Sequence, residues 1–573
     1  MKDDMILKNA CVYDPLNGVD GEVIDICISE GKIVEKVSES AQVIDVKKRA
    51  VLPGGVDMHA HIIGSKLGMG RMMCPEDHRN NPFFLSKHTR SGVGFTMPSS
   101  YITGYLYSIM GYTTVVEPAL PALKALGAWE ELVDIPNLDL AMLPMFCNSV
   151  ITFHYIKEND LDGLKGYIAW LLRSTGGWGV KIVNPGGTYA WAHGRNIRRI
   201  DTPVPDWDIT PRDIIRGLCQ TVEELGLPHT IHLHPNNLGR VGNVHTTIET
   251  LDAISDIKGF NGRESVAHLA HMSFDCLGML EDGVPEWKYV SSGGLTFAEY
   301  FKKNRHFTVD LGQITFGPAT TMTGDGPFQF ALHKMTGEKW ANVSVDAELP
   351  GGAGVVPYTY NPTSPANAIQ WATPLEFALS IDDVWRVVMT TDHPNGGPFT
   401  KYPLVLSWLM SKKQRDLWLD KVHPIVSERS LLGELDREWS LYEVTISTRA
   451  APSKILGLEQ HKGHLGLGAA ADVCVLDYYP SKVNLAENPD LILRVFGETF
   501  LTVKDGSILS KKGKIKQTHH GRVWSIRPEI DSTLYERVTE ELRDLFKRWY
   551  THSFTNYPVP DRYRREYENV IST

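Results

Sequence analysis

The chain has 573 residues, 42% of them apolar and 22% charged, so it exceeds one ordinary domain and can bury a large core. A formal charge of −10 leaves no basic footprint for nucleic acid, and the run Lys511-Lys512-Gly513-Lys514-Ile515-Lys516 reads as a solvated turn. Seven scattered cysteines without a C-x-x-C pair fit reduced thiols and no iron–sulfur cluster of the chain's own. No apolar run approaches the roughly 18 residues of a membrane-spanning helix, and Met1-Lys2-Asp3-Asp4-Met5 opens directly into a strand-like run, so a cytoplasmic location is expected.

Residues 1–52 carry short alternating runs such as Val23-Ile24-Asp25-Ile26-Cys27-Ile28, separated by turn signals at Asn17-Gly18 and Glu30-Gly31-Lys32. That spacing predicts a small β-meander. Residues 53–450 alternate buried strand candidates (54–59, 113–117, 140–147, 178–184, 229–234, 265–271, 306–311 and 386–391) with helical segments. The fold class is therefore α/β, a (β/α)8 TIM-like barrel with its active site at the C-terminal strand ends. Within it, 315–380 is rich in Gly, Pro and Thr and is expected to be a long active-site loop. Residues 451–525 return to the β texture of the N-terminus, so the two ends are expected to build one composite β-domain. Residues 526–573 form a tail: a helix over 528–550, then Tyr557-Pro558-Val559-Pro560, extended and suited to subunit contact.

Five stretches end apolar, β-branched runs with chemistry-bearing residues. His59-x-His61 places two imidazoles on one face of an extended strand. His232 and His234 also share a face; His234 lies next to Pro235-Asn236-Asn237 and is the preferred ligand, with His232 the alternative or a supporting residue. His268 and His271, three apart, face opposite ways on a strand, so His271 is the ligand candidate and His268 packs. His229, His245, His306 and His393 either orient substrate or simply sit in loops, and the loop reading carries more weight for each. Lys181, if buried beside cations, favours the neutral amine, which can take up CO2 as a carbamate; a salt bridge is the other reading. Asp392, after Val387-Val388-Met389, can ligate metal and carry a proton, or can cap the turn before Pro394-Asn395-Gly396-Gly397. Imidazoles with a closing carboxylate suit zinc. Arg71, Asn184, Gln313 and Asn395 are candidate substrate contacts outside this set.

The set resembles the amidohydrolase superfamily with a binuclear centre, as in hydantoinases and dihydroorotases. A closer resemblance, over nearly the whole chain, is to the A subunits of formylmethanofuran dehydrogenases. It is carried by Lys181-Ile182-Val183-Asn184-Pro185-Gly186-Gly187-Thr188, Leu227-Pro228-His229-Thr230-Ile231-His232-Leu233-His234, Thr320-Thr321-Met322-Thr323-Gly324-Asp325-Gly326-Pro327 and Thr390-Thr391-Asp392-His393-Pro394-Asn395-Gly396-Gly397-Pro398-Phe399. The resemblance implies two Zn2+ ions bridged by N6-carboxylated Lys181, with His59, His61, His234, His271 and Asp392 as further ligands and Asp392 as the catalytic proton carrier. It implies interconversion of formate plus methanofuran with N-formylmethanofuran. Molybdenum or tungsten pterin and iron–sulfur clusters are then expected only in partner subunits, which reduce CO2 to formate. Competing readings are a stand-alone cyclic amidase, the A subunit of a bacterial formyltransferase/hydrolase complex, and a non-catalytic scaffold.

Overall fold

Eight short strands, every residue buried, lie on the eight predicted segments: β1 (Gly55–Asp57), β2 (Tyr112–Leu120), β3 (Asp139–Pro144), β4 (Lys181–Val183), β5 (Ile231–His234), β6 (Ala267–Leu269), β7 (Phe307–Asp310) and β8 (Val387–Val388). The computed structural model describes residues 4–573 apart from 81, 85–86, 89, 93, 95, 281–285, 345–351 and 565. Neighbouring strands pair in parallel from β1 to β3 and from β4 to β8. Two parallel bridges, Met145 with Lys181 and Ala60 with His393, close the ring. The fold is a (β/α)8 barrel, and both closing bridges lie beside candidate ligands.

At its base the barrel parts between β3 and β4. A C-terminal strand, Val523–Arg527, fills the gap by pairing with β3, and Ile526 N–H donates to the Gly177 carbonyl at 3.0 Å. Glu568–Ser572 adds one further parallel strand outside it.

The second sheet draws strands from both ends of the chain. Met5–Asp14, Val19–Ser29, Lys32–Val34, Gln42–Asp45 and Ala50–Pro53 come from the N-terminus. Val473–Val475, Leu501–Lys504, Ser507–Lys511 and Lys514–Ile515 come from the C-terminal part. The seam is antiparallel, Val51–Pro53 against Val473–Val475. Asn17-Gly18 makes the first turn, with Gly18 at φ 70°, a conformation that costs glycine little. This sheet has its own apolar core, including Leu7, Val12, Ile28, Val473 and Val503.

Residues 315–380 are not the loop their composition suggested. They hold an antiparallel sheet of Gly317–Thr323, Ala341–Val343 and Ala353–Tyr360 and two helices, Gly326–Thr336 and Pro365–Ser380. Some of the glycines and prolines open elements: Gly326-Pro327 starts the first helix, capped by Asp325 accepting from Phe328 N–H at 3.0 Å, and Pro365 opens the second. Threonine and valine, β-branched, supply the strands. A helix, Pro489–Gly497, also interrupts the β-rich C-terminal part.

The tail helix spans Ser532–Trp549 and packs Val538, Leu542, Leu545 and Phe546 inward. It lies on the helix Leu161–Thr175, where a side chain at Gly166 would sit 2.6 Å from Val538 Cγ2. Tyr557 and Val559 are buried against their own chain, with Val559 N–H donating to the Ser174 carbonyl at 2.8 Å. Among the described residues no helix is long and apolar enough to cross a membrane.

A buried charge cluster joins barrel and sheet. Asp139, on β3, pairs with Lys462 and, at 2.9 Å, with Lys504; Lys462 also meets Asp472 at 2.8 Å. Burial pushes the Asp139 carboxyl up, but the two ammonium groups outweigh it and hold it below the usual carboxylate range. A depressed carboxylate contributes its full stabilisation above its unfolded value of about 3.9 and loses it only as the pH falls further. Asp139→Asn leaves two buried ammoniums undercompensated and is expected to cost about 3–5 kcal/mol in denaturant unfolding. The deficit should stay constant between about pH 5 and 8.

Candidate metal centre

Each candidate ligand but Lys181, which opens β4, sits at or just beyond the end of a barrel strand. At the end of β1, the buried Asp57 carboxylate accepts from Tyr107 Oη at 2.7 Å, from Tyr402 Oη and from His59 N–H, pinning the entry to His59-x-His61. Lys181 is on β4 and His234 ends β5. His271 follows β6 at φ 34° and Asp392 follows β8 at φ 49°. Asn184, after β4, is also left-handed at φ 44°. L-residues seldom hold positive φ, and such positions gather at functional sites.

His59, His61, Lys181, His234, His271 and Asp392 all line one cavity, none more than 4% exposed. Asp392 Oδ1 lies 3.1 Å from His59 Nε2 and 3.3 Å from His61 Nε2. The His234 and His271 rings are 4.6 Å apart, and those of His59 and His271 5.3 Å. Among the described residues, Lys181 Nζ and His234 Nε2 are buried without a hydrogen-bond partner. Buried polar atoms left unpaired are costly, so convergent orphans fit a cation that completes them. His59, His61 and Asp392 also offer ligand atoms close enough together to share one ion. The donor set of imidazole nitrogen and carboxylate oxygen suits zinc.

A hydrogen-bond chain fixes the tautomer of His59. The Ile455 carbonyl can only accept, so His229 Nδ1, 2.9 Å away, carries the proton. His229, which burial pulls down to about 3, is neutral, and its Nε2 accepts from His232 Nδ1 at 3.2 Å. His232, well below its ordinary range through burial and Lys181, is neutral too. Its Nε2 accepts from His59 Nδ1 at 3.0 Å, a proton shared with Asp310 Oδ2 at 2.9 Å. His59 therefore presents Nε2 to Asp392 and the cavity. The opposite ring nitrogens of His61 and His271 face carboxylates as well: His61 Nδ1 meets Glu117 Oε1 at 2.7 Å, and His271 Nδ1 meets Asp275 Oδ2 at 3.0 Å. Carboxylates behind ligand imidazoles are the usual support of metal sites.

The local field favours a cation. Burial depresses His59, yet Asp310 and Asp392 overcome it and push the imidazole up to about 9. Burial would raise Asp392, but His59 and His271 hold it well below the usual carboxylate range. Burial pulls Lys181 down to about 8 against Asp392 and Asp310.

His232 lies one layer below the cavity, bonded to His59 and His229. His268 reaches the barrel interior rather than only packing: Nε2 is 3.2 Å from Asp310 Oδ2 and Nδ1 is 2.8 Å from Thr308 Oγ1. The expectation of opposed faces for His268 and His271 fails because His271 has left the strand in a left-handed turn. Asn395 lines the cavity and donates to Asp392 Oδ1 at 2.9 Å. Arg71 donates to the Pro98 carbonyl, Gln313 to the Trp371 carbonyl, and Asn184 accepts from Asn236, so those three support loops. His393 accepts from Phe399 N–H, and His306 is within 3.0 Å of the Leu251 carbonyl. Sequence reasoning passed over Glu117, Asp310, Asp275 and Lys66. For the first two the signal was an acidic residue closing a β-branched run.

The amidohydrolase family matches residues 42–509. The chain belongs to that family. It is 43% identical over 571 residues to "Protein FwdA" of Methanocaldococcus jannaschii, covering 99% of this chain and 98% of that one. It is 34% identical to the A subunit of the formyltransferase/hydrolase complex Fhc of Methylorubrum extorquens, over 96% of this chain and 95% of that protein. A crystal structure of the M. extorquens FhcABCD complex with methylofuran aligns at TM-score 0.88 and 30% identity, covering 99% of both chains. The expected resemblance to this group of proteins thus extends over the full chain.

His232→Phe removes the acceptor and donor that set the His59 tautomer without touching the cavity. Zinc affinity, measured by chelator competition, is expected to fall about 10–100-fold.

Proposed function

We propose that the chain is the A subunit of a formylmethanofuran dehydrogenase, interconverting formate plus methanofuran with N-formylmethanofuran. The observation that carries this reading is the convergence of four imidazoles, Lys181 and Asp392 on one buried cavity in a full-length relative of FwdA. Two zinc ions held by His59, His61, His234, His271, Asp392 and a carboxylated Lys181 would supply water activation at neutral pH and polarisation of the formyl oxygen.

The chain's own groups do the rest. Lys181, brought down to about 8 by burial, keeps part of its amine neutral near pH 7. That amine forms an N–C bond to CO2 and releases a proton, becoming an anion able to bridge two cations. Asp392 stays ionised, oriented by the Asn395 amide, and accepts the proton of the attacking water as its oxygen bonds the formyl carbon. It passes that proton to the amine nitrogen as the C–N bond breaks, and formate and free amine separate. In the synthetic direction the same groups act in reverse.

Space is divided to match. The cavity has about 20 Å³ of room, while an adjoining cavity of about 470 Å³ shares Thr321 and Phe328 with it and is lined by Trp287, Tyr358 and Tyr360. The division suits a one-carbon group at the centre and the bulk of an aromatic amine carrier beside it. In the complex, a partner protein with a molybdenum or tungsten pterin supplies formate from CO2, and iron–sulfur subunits supply its electrons. The full-length likeness to the Fhc protein favours one other reading, formyl transfer without CO2 reduction. Copurifying tungsten or molybdenum separates the two.

Formate release from N-formylmethanofuran by the zinc-loaded chain is the test. Asp392→Asn is expected to keep its metals and lose about 10²–10⁴-fold in turnover. An unimpaired variant refutes the proton role of Asp392, and no release by metal-loaded wild type refutes the reaction.

A further inference from the structure

Lys66, second residue of the helix Ser65–Met73, is 5% exposed and lines the same cavity. Among the described residues its ammonium forms no ion pair, and its one hydrogen-bond neighbour is His61 Nδ1 at 3.5 Å. That nitrogen has no lone pair to give, because it donates its proton to Glu117 Oε1 at 2.7 Å. Glu117 is itself saturated: its oxygens take His61 Nδ1 and the Ile62, Ile63 and Ala119 amides. The amine is thus a buried donor without an acceptor among the described residues; the charges of Glu117 and Asp392 act on it, but neither forms an ion pair with it. Other buried lysines here do have carboxylates; Lys462 and Lys504 share Asp139. The donor capacity of Lys66 is thus turned to the reaction cavity that it lines.

We propose that Lys66 is the anion anchor of the site, holding one oxygen of a small carboxylate, formate, against its ammonium group. This deepens the formyl-exchange reading and rests on it for the identity of the acid. The group is positioned for binding: it charge-pairs with the carboxylate that the amide cleavage liberates, or that the amine attacks in the reverse direction, and forms no covalent bond. Two features fit a one-carbon acid over a larger one. The cavity has about 20 Å³ of room, and Lys66 lines it alongside the ligand candidates rather than the larger apolar cavity, whose lining does not include it.

The test is direct binding of 13C-formate to the metal-loaded full chain, followed by NMR titration, for wild type, Lys66→Gln and Lys66→Arg, with metal content measured on each sample. Formamide, uncharged and of similar size, is titrated in parallel. Loss of a charge-assisted contact should weaken formate about 10–100-fold in Lys66→Gln, leave formamide within about 2-fold, and be largely restored in Lys66→Arg. Equal formate affinity in wild type and Lys66→Gln overturns the proposal, as does parallel loss of formate and formamide, or absence of formate binding by wild type. Wild type that binds formate through Lys66 but does not cleave N-formylmethanofuran would sink the assigned reaction and leave the anion anchor standing. Cleavage with formate binding indifferent to Lys66 would do the reverse.

Discussion

Asp310 is the fixed point of the site. Its two buried oxygens accept from four donors on three different barrel segments: His59 Nδ1 and His268 Nε2 on Oδ2, the His271 backbone amide and Thr390 Oγ1 on Oδ1. Burial would raise this carboxyl, but the two imidazoles outweigh it and hold it far below the usual range. A fully satisfied buried carboxylate is rigid, because any displaced donor would be left unpaired in a low dielectric. Two candidate ligands from opposite parts of the chain are set by this one group: His59 by its ring, His271 by its backbone. The left-handed turn at His271 is stabilised by that same bond, which offsets a cost of about 1–3 kcal/mol.

Around that point the charges divide by depth. Acidic groups Asp310, Glu117 and Asp275 stand behind the imidazoles, while the nitrogens facing the cavity are left without acceptors or close to Asp392. The result is a ring of Lewis-basic atoms over a negatively charged layer, which attracts cations. Lys181 and Lys66 are the two buried amines in that ring, and their surroundings differ. Asp392 and Asp310 act on Lys181, Glu117 and Asp392 on Lys66, and Lys66 also stands beside His61, whose proton is already committed. Proximity alone therefore does not give them the same job: one suits conversion to an anion, the other the holding of one.

The barrel and the six candidate ligands were legible because both depend on local pattern. Apolar β-branched runs predict buried strands, and a histidine, lysine or aspartate at the end of such a run points into the barrel mouth. What was not legible arises from closure. Asp310 meets His59 across 251 residues and Glu117 meets His61 across 56, pairings that no periodicity announces. The parity rule misplaced His268 because it assumes that the strand continues, and His271 had already turned out of it. Residues 315–380 were read as loop because glycine and proline were counted as breaks, whereas Asp325-Gly326-Pro327 starts a helix. The tautomer chain from the Ile455 carbonyl to His59 was equally invisible, since its first acceptor lies 226 residues from His229.

Among the described residues the geometry offers two places for a cation: the cavity around Asp392, and the layer beneath it where His59, His232 and Asp310 also come within ligand distance. The lower set is already knit by hydrogen bonds, so metal belongs above it. Anomalous diffraction at the zinc edge from crystals of the zinc-loaded chain decides this. Two peaks inside the ring of His59, His61, Lys181, His234, His271 and Asp392, with density extending from Lys181 Nζ between them, are the expected result. A single peak, or a peak between His59, His232 and Asp310, would contradict the binuclear assignment.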